Sequence, residues 1–387
     1  MESIALTVDF PANGGVCVGR AQGRVVFCGH SLPGETVAAE ILQGGADARF
    51  WRAEAVEVLD GRSTSRVTPP CPWFGPGQCG GCAWLHADRR AQLRLKASVL
   101  TETLERLGRV TWNVEVHPLE PATGWRTRVT LHVDDAGRAG LYRSRSHTVV
   151  AVADCLQADA RLGLPELLER AWPPGSAVHV SASDAGRAVI VRGPDGESAE
   201  GPTEHIHHVK GREFRCAADG FWQSHRRAAD VLSAQVLTLA GVTPGDRLLD
   251  LYAGVGLFGL VLLDQCDPAS VVLVEGDRDA ADFARRNAAD DSRVTVLGRD
   301  VRAWARRPRA ADVVVLDPPR AGAGRAVVDG IIRTGARAVV YVSCEPSTLA
   351  RDLAYFGKRG YTPDHITGFD VFPGTAHIET VVRLRRS

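Results

Sequence analysis

The sequence predicts an α/β protein with a doubly wound parallel sheet in its C-terminal part. After residue 220, short β-branched apolar runs alternate with helical patterns, as in parallel strands joined by crossover helices. The first sixty residues instead carry short strand-like runs between Gly and Pro turns, which is typical of a small closed barrel. We therefore predict a Rossmann-like domain, an N-terminal β-barrel of OB-like type, and an inserted α+β central domain.

The length of the chain is compatible with this division, because 387 residues suffice for two or three domains with their own cores. We place the barrel at 1–60, a cysteine loop and the central domain at 61–219, and the parallel-sheet domain at 220–387. A long helix predicted over 88–107 is expected to pack on the last domain. His205, His207 and His208 fall in a polar stretch flanked by Gly and Pro, where we expect an exposed loop.

The charge balance excludes few partners. Forty-six basic residues match 46 acidic ones, so the total charge does not indicate a nucleic-acid partner. Nearly all basic residues are arginine, and the lysines are Lys96, Lys210 and Lys358. Arginine suits phosphate and base contacts, but codon bias in a chain rich in Ala, Gly and Arg explains the excess equally well.

Cysteine usage indicates a reducing compartment. Nine cysteines are an odd number, and the N-terminus lacks the basic and apolar segments of an export signal. We therefore expect a cytoplasmic protein whose cysteines serve metal binding or catalysis. No apolar run approaches the length of a membrane span, so no membrane association is expected.

A loop rich in Gly and Pro carries Cys71, Cys79 and Cys82. The C-x-x-C spacing of the last two suits zinc or an iron–sulfur cluster. A fourth ligand must come from elsewhere, and Cys155 is the best candidate, with Cys216 as the second. A thioredoxin-like redox pair is the alternative, but it requires a preceding strand and a following helix, and it leaves Cys71 without a role.

A glycine-rich turn follows the predicted strand at 247–252. Gly254-x-Gly256-x-x-Gly259 matches the dinucleotide-binding pattern, and Glu275 lies about twenty residues further on, where an acid binds ribose hydroxyls. Taken alone, this pattern allows NAD or S-adenosylmethionine.

Three residues at other strand ends favour S-adenosylmethionine. Asp250 precedes the glycines, where it could hold an amino acid's ammonium group. Asp317 opens an Asp-Pro-Pro-Arg segment after a later strand, and Cys344 follows the next strand. Hydride transfer needs no nucleophile at that place, whereas a thiol beside a carboxylate forms a nucleophile and base pair.

Cys344 ends a buried strand and precedes a turn at Pro346 and a helix opened by Ser347. The helix amino end is expected to lower the pKa of the thiol. A lone cysteine at a strand end is also compatible with a small core residue.

In chain order, these motifs resemble those of the RNA uracil-C5 methyltransferases that use S-adenosylmethionine. The motifs are Phe-Trp-Gln at 221–223, Leu-Asp-Leu-Tyr-Ala-Gly-Val-Gly at 249–256, Asp-Pro-Pro-Arg at 317–320, Ser-Cys-Glu-Pro at 343–346, Arg-Asp at 351–352 and Phe-Pro-Gly-Thr-Ala-His-Ile-Glu at 372–379. The first sixty residues, with Leu-Pro-Gly-Glu at 32–35, resemble the TRAM barrel of the ribosomal-RNA branch. The resemblance covers nearly the whole chain.

The resemblance implies a role for each of these residues. It implies that Cys344 is the nucleophile and Glu379 the base. The residues expected to bind S-adenosylmethionine are Gln223, Tyr252, Gly254, Gly256, Glu275, Asp300 and Asp317. Cys71, Cys79, Cys82 and Cys155 match the [4Fe–4S] ligands of the ribosomal-RNA branch, and the cluster is expected to be structural.

Four positions depart from the family pattern. The gap between Cys71 and Cys79 is two residues wider than usual, which bears on cluster assembly. Glu345 replaces the Asn common after the nucleophile, His225 replaces the Asn after the Phe-Trp-Gln motif, and Leu257 stands where an Asn often helps to hold the cofactor. These changes bear on rate and on the orientation of the base more than on reaction type.

The implied reaction is methyl transfer to C5 of a uridine through a covalent adduct between cysteine and C6. The expected partner is RNA, with 23S ribosomal RNA favoured and transfer RNA as the alternative, and a monomer without protein partners is expected. Three other functions stay open: a cytosine-C5 RNA methyltransferase, an NAD-linked oxidoreductase and a non-catalytic RNA-binding module. The first usually needs a second cysteine, which the Asp-Pro-Pro-Arg motif lacks.

Overall fold

A computed structural model describes residues 3–45, 48–194 and 196–386. Its first five strands form a closed barrel in the order β1-β2-β3-β5-β4. They are β1 (Ser3–Ala12), β2 (Val16–Ala21), β3 (Arg24–Gly29), β4 (Thr36–Gln43) and β5 (Phe50–Asp60). Alternating residues such as Leu6 and Val8 are buried inside, as the period of two in a strand requires. The predicted N-terminal barrel is confirmed.

Helix α1 (Arg89–Thr103) connects the barrel to the rest of the protein. Its N-cap is Asp88, whose side chain accepts a hydrogen bond from the Ala91 N–H at 2.8 Å. A π-helical turn, Leu104–Gly108, follows. Leu100 and Leu104 are buried in the core of the C-terminal sheet, so this helix packs on an element far along the chain.

The central part contains a six-stranded antiparallel sheet in the order β12-β11-β10-β7-β8-β9 and a separate hairpin, β13-β14. The elements are β7 (Arg128–Val133), β8 (Ala139–Tyr142), β9 (Val149–Val150), α2 (Leu164–Glu169), β10 (Ala177–Ser183), β11 (Gly186–Gly193), β12 (Gly196–Glu200), β13 (Glu204–Val209) and β14 (Arg212–Ala217). The three histidines at 205–208 lie on β13, so the predicted loop was wrong, whereas His208 is exposed as expected. His205 is buried, and its two ring nitrogens meet the hydroxyls of Ser181 and Ser183 at 2.8 Å.

The C-terminal part is an eight-stranded sheet in the order β17-β16-β15-β18-β19-β21-β20-β6. Its strands are β6 (Val116–Pro118), β15 (Arg247–Leu251), β16 (Ser270–Glu275), β17 (Val294–Gly298), β18 (Val313–Leu316), β19 (Ala338–Ser343), β20 (Tyr361–Asp370) and β21 (Glu379–Arg386). Its helices are α3 (Ala228–Ala240), α4 (Leu257–Cys266), α5 (Arg278–Asn287), α6 (Val301–Trp304), α7 (Gly324–Thr334) and α8 (Pro346–Gly357). The predicted doubly wound sheet is confirmed, and β6 joins it from outside the range 220–387, which we had assigned to that domain.

The direction of the strands decides where the sheet exposes its polar ends. Strands β15, β18 and β19 are parallel neighbours, so their carboxyl ends meet at one edge. Strand β21 runs antiparallel to β19, and its amino end therefore lies at that same edge. Within the described ranges, no helix is long and apolar enough to cross a membrane.

Candidate active site

Three side chains predicted to be reactive or cofactor-binding meet at this edge. Cys344 follows β19, and Glu379 begins β21. The last pair in the register of these two strands is Ser343 with Thr380, so the next residues, Cys344 and Glu379, face one another. Asp317 follows β18, the other neighbour of β19. The structure therefore brings together the predicted nucleophile, the predicted base and a second carboxyl group.

Burial and mutual repulsion oppose ionisation of these three side chains. Burial raises the pKa of the Cys344 thiol to about 12, and the charges of Glu379 and Asp317 add to this effect. Burial also raises the pKa of Asp317 to about 7, and burial with the charge of Asp317 raises that of Glu379 well above its usual range. The expected lowering of the thiol pKa by the helix end is therefore wrong for the ligand-free protein. A bound cation would favour the ionised forms of all three groups.

The turn after β15 combines glycines with a non-glycine residue in the left-handed region. Tyr252 has φ 59°, and Gly254 and Gly256 have φ 56° and 93°. A Cβ on Gly256 would lie 2.8 Å from the Leu260 side chain, so this position needs glycine. Left-handed backbone is costly at a bulky residue such as Tyr252.

Two acidic side chains accept hydrogen bonds from the backbone of this turn and of the helix that follows it. Glu275 Oε2 accepts a hydrogen bond from the Gly254 N–H at 2.7 Å, and Asp250 Oδ2 accepts one from the Gly259 N–H at 2.8 Å. Asp250 is fully buried, and its other oxygen, Oδ1, has no partner in the described part of the chain. Burial raises the pKa of Asp250 to about 8, with contributions from the charges of Asp317 and Glu275. The role predicted for Asp250, to hold an ammonium group, therefore stays a prediction.

The remaining predicted cofactor residues lie at different distances from this turn. Burial and the charges of Asp300 and Glu275 are among the causes that raise the pKa of Tyr252 to about 12, so these three side chains are neighbours. Asp300 is exposed and caps α6 by accepting the Ala303 N–H at 2.9 Å. Gln223 is buried before α3, and no described hydrogen bond links it to the turn.

The barrel also reaches this edge, which the sequence analysis missed. Asn13, between β1 and β2, donates to Glu345 Oε1 at 2.7 Å and to Ser347 Oγ at 3.3 Å. Glu345 is the N-cap of α8 and accepts the Ser347 N–H at 3.3 Å, so the helix opens at Pro346 and not at Ser347 as predicted. Glu345, a departure from the family pattern, therefore has a structural role directly after Cys344.

The four predicted cluster cysteines line one cavity. Cys71, Cys79, Cys82 and Cys155 surround it together with apolar side chains that include Phe74. Burial raises the pKa of the Cys79, Cys82 and Cys155 thiols, and the charge of Cys155 raises those of Cys79 and Cys82 further.

The second candidate for the fourth ligand, Cys216, is excluded from this cavity. It is buried in the core of the C-terminal part, on β14. Across residues 3–45, 48–194 and 196–386, no three His, Cys, Asp or Glu side chains converge as ligands of one metal ion. A [4Fe–4S] cluster requires a different arrangement, because its four thiolates bind four separate iron atoms around a larger body. Four thiols around one largely apolar cavity fit that requirement.

Comparisons with known proteins agree with this geometry. Residues 307–387 match the family model described as tRNA (Uracil-5-)-methyltransferase, and residues 225–340 match that of the methyltransferase small domain. A Streptomyces avermitilis protein described as an uncharacterized RNA methyltransferase is 40% identical, with 96% of each chain covered. A Streptomyces coelicolor protein with the same description is also 40% identical, over 99% of this chain and 93% of its own. The chain belongs to the RNA uracil-C5 methyltransferase family.

A solved structure shows the fold of a distant member. The Pyrococcus abyssi tRNA (uracil-54, C5)-methyltransferase, in complex with S-adenosyl-L-homocysteine, superposes with a TM-score of 0.71. The match covers 98% of this chain and 100% of that one, at 23% identity. This RNA uracil-C5 methyltransferase therefore has the architecture of that enzyme over nearly its full length.

The two family models cover most of the site. The segment that matches the uracil-5-methyltransferase model contains Asp317, Cys344 and Glu379, and the small-domain match contains the glycine turn and Glu275. The cysteine cavity lies outside both matched segments.

Proposed function

We propose that this enzyme methylates C5 of a uridine in RNA through a covalent bond between Cys344 and C6 of the base. The observation that supports this most is the meeting of Cys344, Glu379 and Asp317 at the sheet edge that also carries the glycine turn. Thiol addition to a pyrimidine needs a nucleophile and a base within reach of one ring, and this edge offers both.

The proposed role of Cys344 is to activate the ring. In the proposed step, the thiol proton passes to the Asp317 carboxylate, which leaves Glu379 free to accept a proton later. The sulfur bonds to C6, and the π electrons of the C5=C6 double bond move toward O4, which makes C5 nucleophilic. S-adenosylmethionine supplies the methyl group on a sulfonium. C5 takes that group when the base is held in line with it, the bond between sulfur and methyl breaks, and S-adenosylhomocysteine would leave as a neutral thioether. Glu379 then removes the proton from C5, the C6–S bond breaks, and Cys344 leaves as a thiolate.

The side chains around the glycine turn would hold the methyl donor. In this proposal, Gly254 and Gly256 allow close approach, Glu275 binds the ribose, and Asp300 lies at the adenine end beside Tyr252. Gln223 and Asp317 complete the residues assigned to the donor, and Asp317 also lies near the target base. The positive charge of the donor would lower the pKa values of Asp317, Glu379 and Cys344, which supports ionisation of the thiol only after the donor has bound.

The proposed substrate is 23S ribosomal RNA, with a uridine taken out of its stack. A base stacked in a helix cannot reach the partly buried Cys344 thiol, so the target must be an unpaired or flipped nucleotide. The N-terminal barrel and the four cysteines favour the ribosomal-RNA branch, whereas the structural neighbour from Pyrococcus abyssi is named for tRNA. We propose that the enzyme acts as a monomer.

A test of this function combines product mapping with one substitution. Purified enzyme with S-adenosylmethionine should place 5-methyluridine in 23S RNA, and mass spectrometry of digested RNA identifies the nucleotide. Cys344→Ala should abolish methylation while S-adenosylmethionine still binds by calorimetry. Cys266→Ala is the matched control, because this partly buried cysteine lies at the end of α4 and should leave turnover unchanged. Methylation by Cys344→Ala at the normal rate would contradict the nucleophile role, and product in transfer RNA alone would change the substrate.

We further propose that Cys71, Cys79, Cys82 and Cys155 hold a structural [4Fe–4S] cluster. Protein purified without oxygen should contain iron and sulfide in equal amounts and show thiolate-to-iron absorption. Cys82→Ser should lose the iron, and Cys216→Ser, which changes a buried cysteine outside the cavity, should keep it. Zinc in place of iron, or iron that persists in Cys82→Ser, would contradict the assignment.

A further inference from the structure

The loop that precedes Glu379 is held by a buried lysine. This loop, residues 371–378, joins Asp370 at the end of β20 to Glu379 at the start of β21. The Lys96 ammonium on α1 donates to Asp370 Oδ1 at 2.5 Å and to the carbonyl oxygens of Phe372 and His377 at 3.0 and 2.8 Å. A single side chain therefore binds both ends of the loop, and its acceptor at His377 is two residues from Glu379.

The chemistry of this position explains why it is a lysine. The side chains of Lys96 and Asp370 are fully buried, and the three N–H groups of the ammonium meet three oxygen acceptors. A compact ammonium can donate in three directions, whereas a guanidinium is a planar fork. Arg89 forms a second ion pair with Asp370, so this carboxylate accepts from two cations. In a chain that otherwise uses arginine almost throughout, the lysine fits the shape of its acceptors.

The same helix segment supports the middle of the loop. Gln92 Oε1 accepts the Gly374 N–H at 3.2 Å, and the Gly374 carbonyl accepts the Trp84 N–H at 3.0 Å. Gly374 has φ 76°, and a Cβ there would lie 2.8 Å from Leu85 Cδ2 and 2.7 Å from Gln157 Nε2. The loop is thus fixed by packing and by hydrogen bonds from residues that precede it by some 280 positions.

We propose that Lys96 is a positioning residue for the removal of the C5 proton. It holds the backbone of the 371–378 loop so that Glu379 faces Cys344, and it does so from the N-terminal helix without contacting the RNA base or the methyl donor. This proposal rests on the proposed function, in which Glu379 takes that proton. Loss of the three bonds would leave Glu379 present but displaced, and displacement by about 1 Å lowers a rate about 10²-fold.

The test uses Lys96→Met, which keeps the length of the side chain and removes the charge and all three donors. Turnover should fall about 10²-fold, with the dissociation constant of S-adenosylmethionine unchanged. Because the C5 proton leaves after the adduct has formed, the variant should accumulate covalent RNA on denaturing gels. Lys96→Arg keeps the charge and should restore turnover only in part, since its planar fork cannot meet the three acceptors in the same way. Lys358→Met removes an exposed lysine near the end of α8 and serves as the matched control.

Two further variants distinguish failure of the positioning role of Lys96 from failure of the proposed function. Asp370→Asn keeps an oxygen acceptor and should give a milder rise of the adduct, which provides a readout if Lys96→Met does not fold. Glu379→Gln reports on the proposed function alone, since it must trap the adduct whether or not Lys96 positions the loop. If Glu379→Gln traps RNA while Lys96→Met and Asp370→Asn show wild-type adduct levels, the positioning role is overturned. Turnover that falls only in proportion to folded protein, without adduct, overturns it as well.

Discussion

Two pairs of carboxyl groups lie at the same end of the C-terminal sheet, and they differ in how many donors they meet. Asp352 accepts hydrogen bonds from the Ala323 N–H at 2.7 Å and the Tyr341 hydroxyl at 2.9 Å, and it pairs with Arg351. Asp370 pairs with Lys96 and Arg89. All four oxygens of these two groups accept hydrogen bonds or ion pairs from the protein, so these side chains stabilise loops and helix starts.

Asp317 and Glu379 are the other two acids in this comparison. No hydrogen bond from any described residue lowers the pKa of either group, and burial raises both. Buried acids that accept hydrogen bonds or form ion pairs within the protein are ordinary structural elements. Acids without such partners at a crevice indicate a site that is completed by a ligand. The comparison therefore separates the acids that stabilise the protein from those for which we propose a role in the reaction.

Glu379→Gln should give the largest effect on catalysis among the acids. A glutamine fills the same space but cannot accept the C5 proton, so turnover should fall by about 10²–10⁴-fold, the usual contribution of a general base. RNA should remain bonded to the enzyme, which denaturing gels with labelled RNA would show. Rapid turnover by this variant would mean that another group removes the proton.

Asp352→Ala should affect stability before catalysis. The change leaves the Tyr341 hydroxyl and the Gly324 N–H without their acceptor and the charge of Arg351 without its partner. The Ala323 N–H keeps only its longer bond to the Tyr341 hydroxyl at 3.2 Å. The free energy of unfolding should therefore fall by about 3 kcal/mol. Urea titration measures it. Asp364→Ala is the control, because its pairs with Arg383 and Arg385 are partly exposed and should contribute less than about 1 kcal/mol. Equal losses in the two variants would remove the distinction between the groups.

A further prediction concerns the dependence of donor affinity on pH. Asp317 and Asp250 have pKa values raised to about 7 and about 8, so below these values the ligand-free site holds protons that a cation must displace. The affinity for S-adenosylmethionine should therefore rise with pH between 6 and 9, by up to about tenfold per unit for each proton released.

The same groups give folding stability the opposite pH dependence to donor affinity. Unfolded acids ionise near pH 4, so the folded ligand-free protein retains more protons between pH 4 and 8, and this contribution to stability decreases as pH rises.

Calorimetry in buffers of different ionisation heat counts the protons released when S-adenosylmethionine binds. Asp317→Asn should reduce that count by one, and a pH-independent affinity in the wild type would contradict the assignment.

The sequence was sufficient for the parts of the protein that depend on local patterns. Strand and helix periodicity led to the barrel and the parallel sheet. The position of Cys344 at a strand end placed it at the crevice, since the ends of parallel strands share an edge. For the same reason, the sequence pattern alone predicts that Asp317, the acid after β18, lies at the crevice with Cys344.

The features that were missed depend on contacts between distant segments. The bonds of Asn13 to Glu345 and of Lys96 to Asp370 span 332 and 274 positions, and no periodicity reports them. The pKa of Cys344 was predicted in the wrong direction because the helix end is local in sequence, whereas burial and the two facing acids arise only from the tertiary structure. His205 was misplaced in a loop because its polar neighbours concealed the period of a strand.

The antiparallel last strand of the sheet has a consequence for synthesis of the enzyme. Glu379 is translated after every other element that it works with: the barrel, α1 with its lysine, the glycine turn and the thiol. A growing polypeptide on the ribosome therefore contains the proposed nucleophile, Cys344, before it contains the proposed base. In the proposed mechanism, the site is complete only when β21 is inserted between β19 and β20.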